Sequence, residues 1–216
     1  MNKKKIIITA IVALLVVGIT GGVFAYLSTV PKTDELYDRV VELIEASYEL
    51  NTVFYGAGLP VHKTDSAYAD FSHLYFDFQY LGDYEIVTEY AKFLSEDEIK
   101  SAAEKVYSKD YLNDVLYKTA FDGYAIEDGA GGAVVGVSRY YENEGYFWQA
   151  KNHKVFYTAM RIYDYSTMQV HALGRGDACV VTMDSWLEDT PEKVENVEIP
   201  LVLQDGKWFL DNFTGG

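Results

Sequence analysis

The sequence predicts an α+β protein, with early helices packed on a curved antiparallel sheet and an N-terminal membrane segment ahead of both. Three observations predict it. Apolar residues recur at helical spacing up to Asp122-Gly123. Beyond that pair, valine, tyrosine and threonine alternate with polar residues to the end, broken by glycine-rich turns. An uncharged apolar run follows Met1-Asn2-Lys3-Lys4-Lys5. Helices gathered before strands bury their apolar stripes against one face of a sheet, which is the α+β layering.

The run from Ile6 to Leu27 comes first. At about 1.5 Å per residue it reaches roughly 33 Å, enough for a hydrocarbon core of about 30 Å. The lysines before it hold that end in the cytosol, so the chain beyond is expected outside. Val23-Phe24-Ala25 also offers a cleavage site before Tyr26, which would release a secreted product. The length of the run favours a retained single-pass anchor over residues 1–30, with one extracytoplasmic domain over 31–216.

Past Pro31-Lys32, the residues Leu36, Val40, Leu43, Ile44, Leu50 and Phe54 share one helical face over 34–54, interrupted only by the small Ser47. Asp34 and Glu35 sit in the first turn, where the helix dipole favours anions, and Gly56 and Gly58 end the helix. Residues 59–80 read as an aromatic loop, extended near 74–80. Tyr84 to Phe93 reads as a strand. Ser95-Glu96-Asp97-Glu98 forms a capping box for a helix facing inward through Ile99, Ala102, Ala103 and Val106. Ser108 caps a second short helix that carries Leu112, Val115, Leu116 and Phe121.

The later strands are expected at 124–127, 133–141, 154–163, 167–173, 177–187, 195–204 and 207–213. Asp205-Gly206 is the strongest hairpin signal, because both residues tolerate the positive φ of a tight turn. A two-residue turn there places Gln204 opposite Lys207 and Leu203 opposite Trp208. Pro200 is expected to mark an edge or a bulge.

Composition narrows the partners. The net charge is −15, and three of the 18 cations are Lys3, Lys4 and Lys5. So acidic an exported part repels nucleic acid and anionic headgroups; the only membrane contact expected is through the N-terminal helix. Cys179 is the single cysteine, so no internal disulfide forms, and its apolar neighbours predict a buried thiol.

Two stretches carry a resemblance. The ending Val197-Glu198-Ile199-Pro200-Leu201-Val202-Leu203-Gln204-Asp205-Gly206-Lys207-Trp208-Phe209-Leu210-Asp211 resembles the last hairpin of extracytoplasmic proteins with the nuclear-transport-factor-like (cystatin-like), cone-shaped α+β fold. The stretch from Tyr84 to Phe121, with Val106-Tyr107-Ser108-Lys109-Asp110-Tyr111-Leu112 entering a helix, is similar to exported Firmicutes proteins, some grouped with inhibitors of cell-wall endopeptidases. The resemblance covers about a third of the chain and implies a fold that hosts enzymes, binders and interaction domains alike.

Catalytic members of the cone-shaped family keep an acid, often with a histidine, inside the cone. Among His62, His73, His153 and His171, only His171 lies on a well-marked strand, with Asp164, Asp177 and Asp184 nearby. A catalytic reading therefore rests on His171 with Asp184, since a general base needs a partner to set its tautomer. A sheet histidine facing solvent is the simpler reading.

No metal-binding spacing occurs, and Asp110, Asn113 and Asp114 sit where a helix start favours acids anyway. Gly129 to Gly132 lacks the lysine of a phosphate loop. Ser138 and Ser185 lack a nucleophile elbow. No cofactor is implied. Tyr140, Tyr141, Tyr146 and Trp148 flank the Asn143-Glu144-Gly145 turn and form a candidate binding surface, although tyrosine also fills half-buried sheet positions. The expected function is a non-enzymatic, membrane-tethered domain that binds an envelope protein or wall polymer. The alternative is a small-molecule binder or enzyme using the cone interior.

Overall fold

The computed structural model describes residues 31–62, 84–122, 125–127, 133–135, 138–151, 153, 155–173 and 176–215. The expected anchor at 1–30, His73 and most of the aromatic loop lie outside the described residues. No helix among the described residues is long and apolar enough to cross a membrane.

Helix α1 spans Thr33–Tyr55 and buries Leu36, Val40, Leu43, Ile44, Leu50 and Phe54, the stripe its spacing predicts. Ser47 and Asn51 are buried on the same side. The helix stops where Gly56 N–H turns back to the carbonyls of Asn51 and Thr52. Gly58 follows at φ +84, with the Gln149 side chain packed against it. That side chain staples the turn, accepting from Leu59 N–H at 2.6 Å and donating to the Ala57 carbonyl at 3.2 Å.

Helix α2 spans Glu96–Ala103, and Ser95 Oγ accepts from Glu98 N–H at 3.2 Å. The Glu98 carboxylate returns to Leu94 N–H, one residue earlier than a capping box has it. Ser108 opens α3, Lys109–Tyr111, by accepting from Tyr111 N–H. The chain then widens into π-helical turns over Leu112–Leu116 and Lys118–Asp122. Leu112, Leu116 and Ala120 still stack inward.

The described strands fall into three antiparallel sheets rather than one. Strands β1 (Tyr84–Ile86), β5 (Tyr146–Ala150) and β4 (Tyr140–Asn143) form the first, in that order. Strands β2 (Ala125–Glu127) and β3 (Ala133–Val135) form the second. Strands β6 (Arg161–Leu173), β7 (Ala178–Leu187), β8 (Glu195–Gln204) and β9 (Lys207–Leu210) form the third, in sequence order.

Several expected strands change, and β5 forms where none was expected. The one predicted over 84–93 ends at Ile86, pairs once more through Val87 with Val61, and bends where Ala91 N–H reaches the Thr88 carbonyl. The strand expected over 154–163 begins only at Arg161, because Phe156 and Tyr157 N–H both turn to the Tyr55 carbonyl. From there it runs on without a break through 167–173. The gap read at 164–166 is part of a bulge, in which Asp164 Oδ1 accepts from Ser166 N–H and Thr167 Oγ1 accepts from Asp184 N–H.

Both tight hairpins turn on two residues of positive φ: Glu144-Gly145 (51° and 80°) and Asp205-Gly206 (52° and 76°). The second delivers the expected register, with Gln204 opposite Lys207 and Leu203 opposite Trp208. Pro200 causes no bulge. It sits in regular register with Val180 at the point where β9 ends, and its carbonyl still accepts from Asp211 N–H at 3.0 Å. The free edge of β9 is closed by residues 106–108, which bond both sides of Leu210. One apolar core joins α1, α2, the π-helical turns and the inward faces of β4 to β9.

Candidate functional site

The arrangement begins with three α1 residues spaced by four, Ser47, Asn51 and Tyr55, which stack on one face of the last helical turns. Against that row lies the segment after β9. The last backbone bond of β9 runs from Asp211 N–H to the Pro200 carbonyl. The bonds described beyond it are made through side chains. Thr214 is almost fully buried, and Asn51 Nδ2 donates to its Oγ1 at 2.9 Å. Ser47 and Thr214 hydroxyls meet at 2.7 Å. Because the Ser47 proton already goes to the Ile44 carbonyl, Thr214 is the donor of that pair. The Tyr163 hydroxyl, on β6, donates to the Thr214 carbonyl.

Asn51 is completed by Tyr107, whose hydroxyl donates to Oδ1 at 2.8 Å. Phe213 lies between the rings of Tyr55 (centroids 4.5 Å apart) and Tyr157 (5.9 Å, edge-on). The Tyr55 hydroxyl meets that of Tyr111 at 2.8 Å. Burial raises the pKa of Tyr107, Tyr163 and Tyr55 above the ordinary tyrosine value, so these hydroxyls stay protonated donors. Between α1 and the sheet, the interior is thus occupied by the chain's own tail and its tyrosines.

The sequence did not single out Asn51, Thr214 or Tyr163. The available signal was Asn51 one turn after Ser47, a second polar residue on an otherwise apolar stripe.

The predicted catalytic pair is not brought together. His171 is exposed opposite Val180 on the outer face of the third sheet, and its Nε2 lies 3.0 Å from Thr182 Oγ1. Asp184 shares that face, opposite Asp164, and accepts from Asn196 Nδ2 at 2.9 Å. The inward residues of β7 are Cys179, Val181, Met183 and Ser185, so strand alternation turns both members of the pair away from the core. The histidine that meets a carboxylate is instead His62, 3.0 Å from Glu89. Ser185 is fully buried and accepts from Arg161 Nη1 at 2.8 Å. Burial pushes the Cys179 thiol up to about 11. Among the described residues, no group of three His, Cys, Asp or Glu side chains is placed to hold a metal ion.

The four aromatic candidates divide. Tyr140 is buried, donates to the Val53 carbonyl at 2.8 Å and stacks on Phe147. Trp148 is buried in a second apolar cluster with Tyr84, Ile86 and Ala150. Tyr141 and Tyr146 remain on the surface, 39% and 36% exposed. Register places Tyr140 on the Gln149 side of the sheet and Tyr141 on the Trp148 side, where Tyr146 also packs edge-on to the Trp148 ring, so both surface rings border that buried cluster. A hollow of about 330 Å³ beside the β4–β5 turn is lined by Leu94, Glu142, Glu144 and Tyr146. A second, of about 370 Å³, lies between the β8–β9 turn and α3, over Tyr107, Leu112, Tyr117 and Phe209. Neither is lined by Ser47, Asn51 or Thr214.

No family model matches the chain, and no curated protein matches it.

Proposed function

We propose that this chain is a non-enzymatic, membrane-tethered interaction domain of the cell envelope. Residues 6–27 serve as its anchor, and a cone-shaped, nuclear-transport-factor-like domain lies outside the membrane. The observation that carries this reading is the filled interior. A small-molecule binder or enzyme of this architecture needs an open pocket with converging polar groups. Here the convergent groups Ser47, Asn51 and Tyr163 are spent on Thr214.

Contact with a partner then falls to the surface, where Tyr141 and Tyr146 stand beside Glu142 and Glu144 at the β4–β5 turn. Two flat rings with acidic neighbours suit an envelope protein or wall polymer bearing amines, since rings supply contact area and carboxylates supply charge. The anchor rests on the lysine-led apolar run, and the acidic charge argues against nucleic acid as a partner.

The test uses the full-length chain purified in detergent, with isolated cell-wall material and solubilised envelope proteins as probes. Retention of either probe should fall several-fold in Tyr141→Ala/Tyr146→Ala while the melting temperature holds. Equal retention by both chains would remove this surface from the proposal, and membrane-free fractionation of the full-length chain would remove the tether.

A further inference from the structure

The tail Phe213–Gly215 sits in its slot as a ligand sits in a site. Each wall is fixed without it. Ser47 is held by the Ile44 carbonyl, Asn51 by the Tyr107 hydroxyl, Tyr55 by Tyr111, and Tyr157 by its backbone bond to the Tyr55 carbonyl. Tyr163 is fixed in the β6–β7 ladder opposite Ser185. The tail itself lies beyond the last backbone bond of its strand, and Phe213 N–H is satisfied locally by Asn212 Oδ1 at 2.8 Å.

The contacts amount to a recognition code. An aromatic ring fits between Tyr55 and Tyr157. The next residue must supply a hydroxyl that gives a proton to Ser47 and takes one from Asn51, and a carbonyl for Tyr163. The third must be glycine, because a Cβ there would come within 2.2 Å of the Phe213 ring and 2.5 Å of the Tyr157 ring. With the tail withdrawn, Asn51 Nδ2 and the Tyr163 hydroxyl would lose their partners in a formed slot. A buried donor left unpaired is costly, so such a slot favours a polar occupant over an apolar one.

We infer that the cleft between α1 and β6 is a binding site for a linear peptide segment of aromatic–threonine–glycine chemistry. The chain's own Phe213–Gly215 fills it in cis, and the same segment offered in trans fills it when the tail is out. This goes beyond the envelope reading and does not depend on it.

The test uses the otherwise complete chain lacking residues 212–216, titrated with the synthetic peptide Asn-Phe-Thr-Gly-Gly. The truncated chain should melt lower than the intact one, and the peptide should bind saturably and restore the loss. Peptides with valine for threonine, or alanine for the first glycine, should bind at least tenfold more weakly. The intact chain should ignore the peptide, whereas intact Phe213→Ala/Thr214→Val should bind it. An unchanged melting temperature on truncation, equal binding of all three peptides, or a truncated chain that peptide does not help to refold would each overturn the assignment. None of these outcomes bears on retention of wall material by Tyr141 and Tyr146, so the two readings fail separately.

Discussion

The Tyr107 hydroxyl donates to Asn51 Oδ1 at 2.8 Å, and the two residues are 2% and 1% exposed. The bond uses the Tyr107 proton to satisfy the buried Asn51 amide oxygen. Tyr107→Phe keeps the ring and removes the donor, leaving a buried amide oxygen unsatisfied. Such a loss costs about 1–3 kcal/mol. Urea unfolding of Tyr107→Phe should show a lower midpoint with an unchanged slope. A midpoint equal to the parent's would mean that Asn51 finds another donor and that the network is not rigid.

The same burial sets a pH limit. The hydroxyls of Tyr107 and Tyr163 lie above the ordinary tyrosine range, raised first by loss of solvent, and burial pushes Tyr140 up to about 12. A folded-state pKa above the unfolded one means that folding favours the protonated form. That contribution is complete below the unfolded value of about 10 and is lost as pH rises through the folded values. Stability should therefore fall steeply above about pH 10. Tyrosinate absorbance followed with near-ultraviolet circular dichroism tests this. A group of tyrosines should ionise only as the dichroism collapses, and full ionisation with the signal intact would contradict it.

Legibility in the sequence tracked how local each cause is. Helix α1 and the Asp205-Gly206 hairpin were readable because spacing and turn chemistry lie within a few residues of the structure they produce. Residues 164–166 read as a break because Asp164 and Ser166 are turn formers. In the fold Asp164, Ser166 and Thr167 satisfy one another and Asp184, so the strand continues. Which side of the sheet Tyr140 and Tyr141 each take depends on their partners Gln149 and Trp148, a choice the run of aromatics does not contain. The interior site was the least visible part. Asn51 and Thr214 are 163 positions apart, and no pattern in either neighbourhood points to the other.

Arg139 offers a test of how α1 is terminated. Its guanidinium is buried and donates to the carbonyls of Phe54 at 2.7 Å and Gly56 at 2.6 Å. No carboxylate pairs with it among the described contacts. The negative end of the helix dipole takes that role, and burial lowers the Arg139 pKa from its usual value. Arg139→Leu takes the guanidinium donor from two carbonyls, leaving Gly56 with His153 Nε2 at 3.2 Å, and should cost roughly 2–6 kcal/mol, at about 1–3 kcal/mol for each. Arg139→Lys keeps the charge but lacks the fork, and should recover only part of that loss. Hydrogen exchange should localise the damage to the end of α1 at 52–56. Uniform exchange across the chain would show that the arginine supports the whole core instead.

The final hairpin separates packing from binding. The Asp205-Gly206 turn fixes the register of both strands, so Leu201, Leu203, Trp208 and Leu210 share one face. Leu201 and Leu210 are fully buried on it, whereas Leu203 and Trp208, nearer the turn, are only partly covered. Trp208 packs against the core, and its carbonyl is held by Arg39 Nε at 3.0 Å. Burial graded along one face predicts graded costs. Leu210→Ala should lose roughly 2–5 kcal/mol, as for enclosed leucines. Trp208→Ala should lose about 2 kcal/mol, below the 3–5 kcal/mol typical of a fully buried aromatic, because part of its ring already meets water. Thermal unfolding of the two variants in the same buffer decides the matter. If Trp208→Ala kept the parent melting temperature while losing retention of envelope material, the ring would be a contact surface. The face assigned to the core would then end at Leu201 and Leu210.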